Sequence, residues 1–258
     1  MHQRGLAYWQ KGELDRALAD LDAALRLAPD DIDTLVDHAG VLNAKSDYEG
    51  AIADYDKVLA TKPDHTPALQ NRGLAYWQKG DLDKALADLD AALRIAPNDI
   101  DTLINHGAVL GDKGDYDRAI AEYDKVLAAK PDNALALNGR AWGYAQKGEL
   151  DKALTDAERA VTLNPEEPNM RHTRAWIYRS KGLLDLALAD FDKALSLDPE
   201  LAGAYADRGQ AYELKGERDK AIVEYRKALS LKSRGFYDDK AKAEASQHLT
   251  ALGAATSG

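Results

Sequence analysis

A repeat period of 34 residues is the feature that most constrains how this chain of 258 residues can fold. Six prolines lie 34 residues apart: Pro29, Pro63, Pro97, Pro131, Pro165 and Pro199. Alanines recur with the same spacing from Ala17 to Ala221, and lysines do so from Lys11 to Lys215. Three independent series with one period predict an array of seven structural repeats.

A longer period of 68 residues is superimposed on the first. Residues 3–69 and 71–137 are identical at about seven positions in ten, and the sequence RGLAYWQKG occurs at both 4–12 and 72–80. The duplicated unit is therefore a pair of repeats, so odd and even repeats need not be alike.

Each repeat has the pattern of two helices. In the third repeat, helix A ends at Lys79-Gly80, and apolar residues at helical spacing run from Leu82 to Leu93 in helix B, which stops before Pro97. Glycine takes the left-handed conformation of a helix end without steric cost. We therefore expect about 15 helices, no sheet, and turns at Gly12, Gly80, Gly114, Gly148, Gly182 and Gly216.

These residues resemble the tetratricopeptide repeat of the bacterial type. The pattern in the third repeat consists of Gly73, Tyr76, Gly80, Ala85, Leu89, Ala92 and Pro97. The resemblance implies an all-α fold, a right-handed superhelical solenoid of antiparallel helix pairs whose A helices line a concave groove. We expect one solenoid domain over 1–258, with repeats at about 1–31, 32–65, 66–99, 100–133, 134–167, 168–201 and 202–235, and a capping helix at 236–252.

The capping helix is expected to close the open end of the stack with a solvated surface. Its pattern is amphipathic, and we expect Asp238, Asp239, Lys240 and Lys242 to point outward.

Composition excludes several functions. The chain has no cysteine, so disulfides and thiolate chemistry are impossible, and its net charge of −10 opposes binding to nucleic acid. No apolar run approaches the roughly 20 residues of a membrane span. No catalytic motif or phosphate loop occurs and the six histidines are scattered, so we expect no enzyme activity, metal or cofactor. A soluble protein is expected, in the cytoplasm or, if a signal peptide was removed, in the periplasm.

Opposite charges recur at two places in every repeat. A basic residue stands in helix A, as at Arg72, and an acidic residue stands sixteen residues later in helix B, as at Asp88. We predict that Arg72 and Asp88 form an ion pair and that the other repeats copy it. A ladder that a ligand can address is the alternative.

The four tryptophans are the main candidates for binding a partner. Trp9, Trp77, Trp142 and Trp176 share one stripe of helix A, which lines the groove in the resembled family. Small residues such as Gly40 and Ala44 lie on the same stripe, so the indoles either border pockets or fold over these neighbours. The other predicted groove residues are Gln70, Asn71, Asn105, Asn138, Arg171, His172 and Arg179.

The sequence thus predicts a scaffold that binds a peptide or protein segment in its groove. Because Arg171, Arg174 and Arg179 form the main basic patch, we expect an apolar segment with some acidic character. Two alternatives stay open. The chain is a regulatory arm of a larger protein, possibly an enzyme, or it assembles with itself through its N-terminal end.

Overall fold

A computed structural model of the protein describes residues 1–254, which contain 15 α-helices and no strand. The prediction of about 15 helices and no sheet is confirmed for this range. The helices are α1 (His2–Gln10), α2 (Leu14–Leu27), α3 (Ile32–Ala44), α4 (Tyr48–Thr61), α5 (Thr66–Gln78), α6 (Leu82–Ile95), α7 (Ile100–Asp112), α8 (Tyr116–Ala129), α9 (Ala134–Gln146), α10 (Leu150–Leu163), α11 (Pro168–Ser180), α12 (Leu184–Leu197), α13 (Ala202–Leu214), α14 (Arg218–Ser230) and α15 (Phe236–Ala251).

Tight turns join helix A to helix B, because the residue after the terminal lysine has a positive φ. The six predicted turn glycines all adopt this conformation, with φ between 75° for Gly12 and 85° for Gly114. Ser46 replaces glycine in the second repeat and has a φ of 63°, which is strained for a residue with a Cβ atom.

The chain divides into two compact units, Met1–Lys113 and Gly114–Gly258, and the second is described to residue 254. Within each unit, successive helices pack side by side as antiparallel neighbours. The alanines of the 34-residue series are buried throughout, from Ala17 to Ala221. A larger side chain there would separate the helices, since a Cβ atom on Gly73 would already lie 3.3 Å from the carbonyl oxygen of Ala85. A single solenoid domain with a right-handed superhelix stays a prediction.

The capping helix is confirmed as α15, but two of its charged residues do not point outward. Asp238 is buried and accepts a hydrogen bond from the backbone N–H of Arg234 at 2.8 Å. Lys242 is half-buried and donates to the carbonyl oxygen of Leu231. Both side chains satisfy backbone groups of the loop before the helix, whereas Asp239 and Lys240 are exposed as expected. Among residues 1–254, no helix is long and apolar enough to cross a membrane.

Candidate functional site

The predicted ion pairs form in both units. Arg72 binds both carboxylate oxygens of Asp88 through Nε and Nη2, each at 2.7 Å. The same paired contact joins Arg4 to Asp20, Arg140 to Asp156 and Arg174 to Asp190. Arg208 donates through Nε and Nη2 to one oxygen of Glu224, Oε2, and His38 contacts Asp54 through Nδ1 at 2.6 Å. Burial alone would raise the pKa of Asp54, but hydrogen bonds from His38 and Lys57 hold this pKa below its usual value.

Most of these basic side chains also contact a carboxylate of the preceding repeat. Arg72 Nη1 lies 2.5 Å from Asp56 Oδ1, in addition to its bonds with Asp88. The corresponding pairs are His38 with Asp22, His106 with Asp90, Arg140 with Asp124 and Arg208 with Asp192. The side chain therefore joins two successive B helices. This contact was missed in the sequence, although the second acid recurs with the same period.

A second series of ion pairs uses the lysine that follows each helix A from α3 to α13. Lys79 Nζ contacts Glu49 Oε1 in the preceding helix B at 2.6 Å. The series continues with Lys45 to Asp15, Lys113 to Asp83, Lys147 to Asp117, Lys181 to Asp151 and Lys215 to Asp185. The separation is 30 residues each time, so this signal was also present in the sequence. These charged contacts connect neighbouring helices within the stack of repeats.

The tryptophans lie on A helices, and all four are partly exposed, as predicted for at least two of them. In the first unit, Trp9 folds over the next A helix. A Cβ atom on Gly40 would lie 2.5 Å from Trp9 Cη2, so the indole fills the space above that glycine. Trp77 instead donates its Nε1–H to Asp112 Oδ2 at 2.5 Å. Of the two interpretations, Trp9 therefore agrees with an indole that folds over its small neighbour Gly40 and not with one that borders a pocket.

In the second unit, two indoles meet each other. The rings of Trp142 and Trp176 are 5.0 Å apart between centroids, at an interplanar angle of 64°. The guanidinium of Arg179 lies over the Trp176 ring at 5.4 Å. Edge-to-face and cation–π contacts both hold the rings in a defined orientation. We call Trp142, Trp176 and Arg179 the indole pair site.

The predicted basic patch is largely neutralised by carboxylates. Arg171 and Arg174 both contact Asp190, at 3.3 Å and 2.6 Å. Arg179 Nη1 and His172 Nε2 contact Asp207, at 2.8 Å and 2.7 Å. Three guanidinium groups therefore face two carboxylates, which leaves little free charge for a partner.

Asp207 is held as a charged group by these two neighbours. Burial alone would raise its pKa, but the charge of Arg179 and the hydrogen bond from His172 outweigh this effect, so the pKa of Asp207 is lowered. The cluster is consequently a structural part of the second unit, and its expected role in attracting acidic segments is weakened.

The other predicted groove residues lie on three A helices, α5, α7 and α9. Gln70 donates its amide to Asp99 at 2.9 Å and to Thr102, so it is occupied by the N-terminus of α7. Asn71 and Asn105 are half-buried on α5 and α7. Asn138 lies on α9, and its buried Oδ1 has no hydrogen-bond donor in the described part of the chain.

Neither of the two best-formed surface depressions is lined by a tryptophan. One, of about 430 Å³, is lined by residues of the turn after α5, namely Gly80 to Lys84, and by Lys113. The other, of about 250 Å³, is lined by Tyr212, Asp219, Lys220, Val223 and Glu224. Within residues 1–254, no group of three or more histidine or acidic side chains could hold a metal ion.

Stacked helical hairpins with a repeated ladder of charges define the protein as a helical repeat protein. Models of the tetratricopeptide repeat match residues 1–31, 41–104, 104–168 and 202–234, and a further model described as TPR repeat matches 176–216. The chain belongs to the tetratricopeptide repeat family. No curated protein sequence matches the chain significantly.

Solved structures share this fold. A tetratricopeptide repeat protein from Parabacteroides merdae is 22% identical with a TM-score of 0.79, over 94% of this chain and 96% of that one. A chain of the APC/C hetero-tetramer Cut9-Hcn1 is 16% identical with a TM-score of 0.76, over 93% of this chain and 48% of that one. The human IFIT1 dimer with m7Gppp-AAAA has a chain that is 17% identical with a TM-score of 0.70, over 96% of this chain and 66% of that one. The chain therefore spans about half of the matched APC/C chain and two thirds of IFIT1. At these identities the likeness shows the fold alone.

Proposed function

We propose that the protein is a scaffold that binds a partner peptide or protein segment on the surface of its A helices. The indole pair site carries this proposal, because two large aromatic rings are held in a fixed orientation while each stays partly exposed. Ordered tryptophan supplies much contact area with little loss of side-chain entropy on binding and is enriched in binding hot spots. Tetratricopeptide repeats generally mediate protein–protein interaction, which agrees with this role.

The second unit is the better candidate for the main contact. Residues 1–113 contain 12 lysines and arginines against 20 acidic residues, whereas residues 114–258 contain 22 against 24. The second unit is thus close to neutral, and its tryptophans meet each other instead of covering a glycine. We infer that the bound segment is mainly apolar, with affinity supplied by the indoles and with charge affecting register and approach.

A pair of substitutions tests this proposal. A partner is first captured with the native chain and identified, and its affinity is then measured by calorimetry. Trp142→Ala should weaken binding at least tenfold, and the double variant with Trp176→Ala should abolish it, while circular dichroism stays nearly unchanged. Tyr237→Ala is the matched control, since this exposed aromatic residue lies on α15. Unchanged binding by both tryptophan variants would place the site elsewhere.

We further infer that the chain has no catalytic role and does not bind nucleic acid. IFIT1 shares the fold and is seen with m7Gppp-AAAA, but the net charge of −10 on this chain repels phosphates. Filter binding with capped and uncapped RNA at 50 mM salt should give no retention. Retention that falls steeply with salt would contradict this inference.

A further inference from the structure

One B helix of the second unit begins with two exposed leucines at the positions where most other B helices begin with an ion pair. In the described part of the chain, five B helices have this pair, between an acid and a base three residues later. The pairs are Glu13 with Arg16, Asp81 with Lys84, Asp115 with Arg118, Glu149 with Lys152 and Glu217 with Lys220. Helix α12 has Leu183 and Leu186 at these positions. We call Leu183 and Leu186 the leucine patch.

The leucine patch faces solvent and does not help α12 to form. Leu183 is 41% exposed and Leu186 is 51% exposed. Three residues apart on a helix, they lie on one face and form a continuous apolar surface. Leu183 is also the N-cap of α12 and makes no side-chain hydrogen bond there. An acid suits this position better, because its charge interacts favourably with the helix N-terminus. The stability of α12 therefore does not explain the leucines, whereas a contact with another molecule does.

We propose that the leucine patch is the centre of a homodimer interface in which the first turns of two α12 helices pack antiparallel. The two-fold axis lies in the interface, at right angles to α12, so Leu183 of one copy contacts Leu186 of the other. A two-fold interface requires a surface that is complementary to itself, and two leucines in reversed order meet this requirement. This contact is separate from the indole pair site.

The charges on both sides of the leucine patch favour a second copy in this arrangement. The same axis brings α10 and α14 onto their own copies in reverse order. Glu149 of one copy then faces Lys152 of the other, and Glu217 faces Lys220. A two-fold axis parallel to α12 would instead place Glu149 against Glu217 and Lys152 against Lys220, and opposed like charges disfavour association. The order of the charges thus selects the antiparallel dimer.

The net charge of the chain does not prevent this contact. The patch lies in the second unit, and residues 114–258 contain 22 lysines and arginines against 24 acidic residues. Repulsion from the more acidic first unit is screened in physiological salt, where the screening length is about 8 Å. Because only two leucines of each copy form the centre, we expect a small interface of the kind found in weak, transient complexes.

Sedimentation velocity and light scattering of the full chain test the proposal directly. Between about 5 and 500 μM protein, the average mass should rise from that of a monomer toward twice that value, with Kd of about 20–200 μM for a small interface. Leu183→Glu with Leu186→Lys gives α12 the ion pair of the other repeats, so this variant should fold normally and associate at least tenfold more weakly. Leu27→Glu, at a leucine that is 79% exposed on α2, is the control and should leave the Kd unchanged.

Charge exchange tests the antiparallel arrangement. The acidic variant carries Lys152→Glu with Lys220→Glu, and the basic variant carries Glu149→Lys with Glu217→Lys. Each should associate with itself at least tenfold more weakly than the native chain, because like charges then face each other. An equimolar mixture of the two should form a heterodimer within about threefold of the native affinity.

Two controls accompany the charge exchange. Adding Leu183→Glu and Leu186→Lys to the acidic variant should abolish the heterodimer, which shows that charge alone does not hold it. Lys130→Glu with Lys232→Glu changes two exposed lysines elsewhere and should leave self-association unchanged. Circular dichroism monitors the fold of every variant.

Three results would overturn the proposal. A native chain that stays monomeric up to about 500 μM would leave a different molecule as the occupant of the patch. Self-association that persists in the Leu183→Glu, Leu186→Lys variant would place the interface elsewhere. A mixture of the acidic and basic variants that stays monomeric would exclude the antiparallel arrangement. None of these results depends on the tryptophan variants, so this proposal can fail separately from the proposed function.

Discussion

The two copies of RGLAYWQKG, at residues 4–12 and 72–80, have one sequence and two environments. Both form the end of a helix A and a glycine turn, and in both the arginine pairs with the carboxylate sixteen residues later. The copies differ in several contacts made beyond their own repeat. Arg72 is mostly covered and has a second carboxylate, while Arg4 is exposed.

The tryptophans of the two copies differ in the same way. Trp77 donates to Asp112, and Trp9 covers Gly40 and finds no acceptor for its N–H within residues 1–254. At the position of Asp112, the second repeat has Ala44. Contacts inside a repeat are thus set by the repeat itself, and contacts between repeats are set by which residues the neighbour supplies. Matched substitutions in the two copies can test this difference.

The largest difference is expected for the alanine at the centre of each copy. Ala75→Leu should destabilise the protein by about 2–3 kcal/mol, because the site is closed and extra methyl groups force the helices apart. Ala7→Leu should change the free energy of unfolding by less than about 0.5 kcal/mol, since Ala7 is exposed. Urea denaturation measures both. Equal losses would mean that Ala7 is covered in solution.

A smaller difference is expected for the two arginines. Arg72→Ala leaves buried Asp88 without its main partner, and we expect a loss of roughly 1–2 kcal/mol after allowing for solvent screening at this partly exposed side chain. Arg4→Ala should cost less, because water replaces part of the lost contact. Thermal unfolding of the two variants under the same conditions measures both losses of stability. A larger loss for Arg4→Ala than for Arg72→Ala would contradict this prediction.

The tryptophan contacts can be exchanged between the copies. Asp112→Ala removes the acceptor of Trp77 and should cost about 1 kcal/mol. Ala44→Asp places a carboxylate at the equivalent point beside Trp9. The indole N–H signals in a nitrogen–proton correlation spectrum report both changes. We expect the Trp77 signal to shift in the first variant and the Trp9 signal to shift in the second, in the opposite direction. An unmoved Trp9 signal would show that the two helix pairs differ in geometry as well as in sequence.

The smallest effect concerns the titration of Asp20. Hydrogen bonds from Arg4 lower the pKa of this carboxylate below its usual value. A lowered pKa stabilises the folded state above the unfolded value, and this contribution is lost as the pH falls through the folded value. Arg4→Ala should raise the pKa of Asp20 and flatten the stability profile below about pH 4. Carboxyl carbon chemical shifts provide the measurement. An unchanged pKa would mean that Arg4 does not hold Asp20 in solution.

The sequence by itself determined the period, the helix pairs, the glycine turns and the ion pair within each repeat. The turn and the ion pair depend on residues at most sixteen positions apart, so a hairpin of fixed length brings Arg72 to Asp88 wherever the hairpin stands. The ion pairs between residues 30 positions apart, such as Lys79 with Glu49, could also have been predicted, because both partners recur every 34 residues.

Only the tertiary structure decided the contacts that break the period. It placed Trp9 over Gly40, joined Trp142 to Trp176, drew Arg179 onto Asp207 and turned Asp238 inward. Each of these depends on a residue that differs between repeats and on how closely two particular helices approach. A periodic pattern predicts which residues share a face of a helix, but the side chains of the neighbouring helix determine what that face contacts.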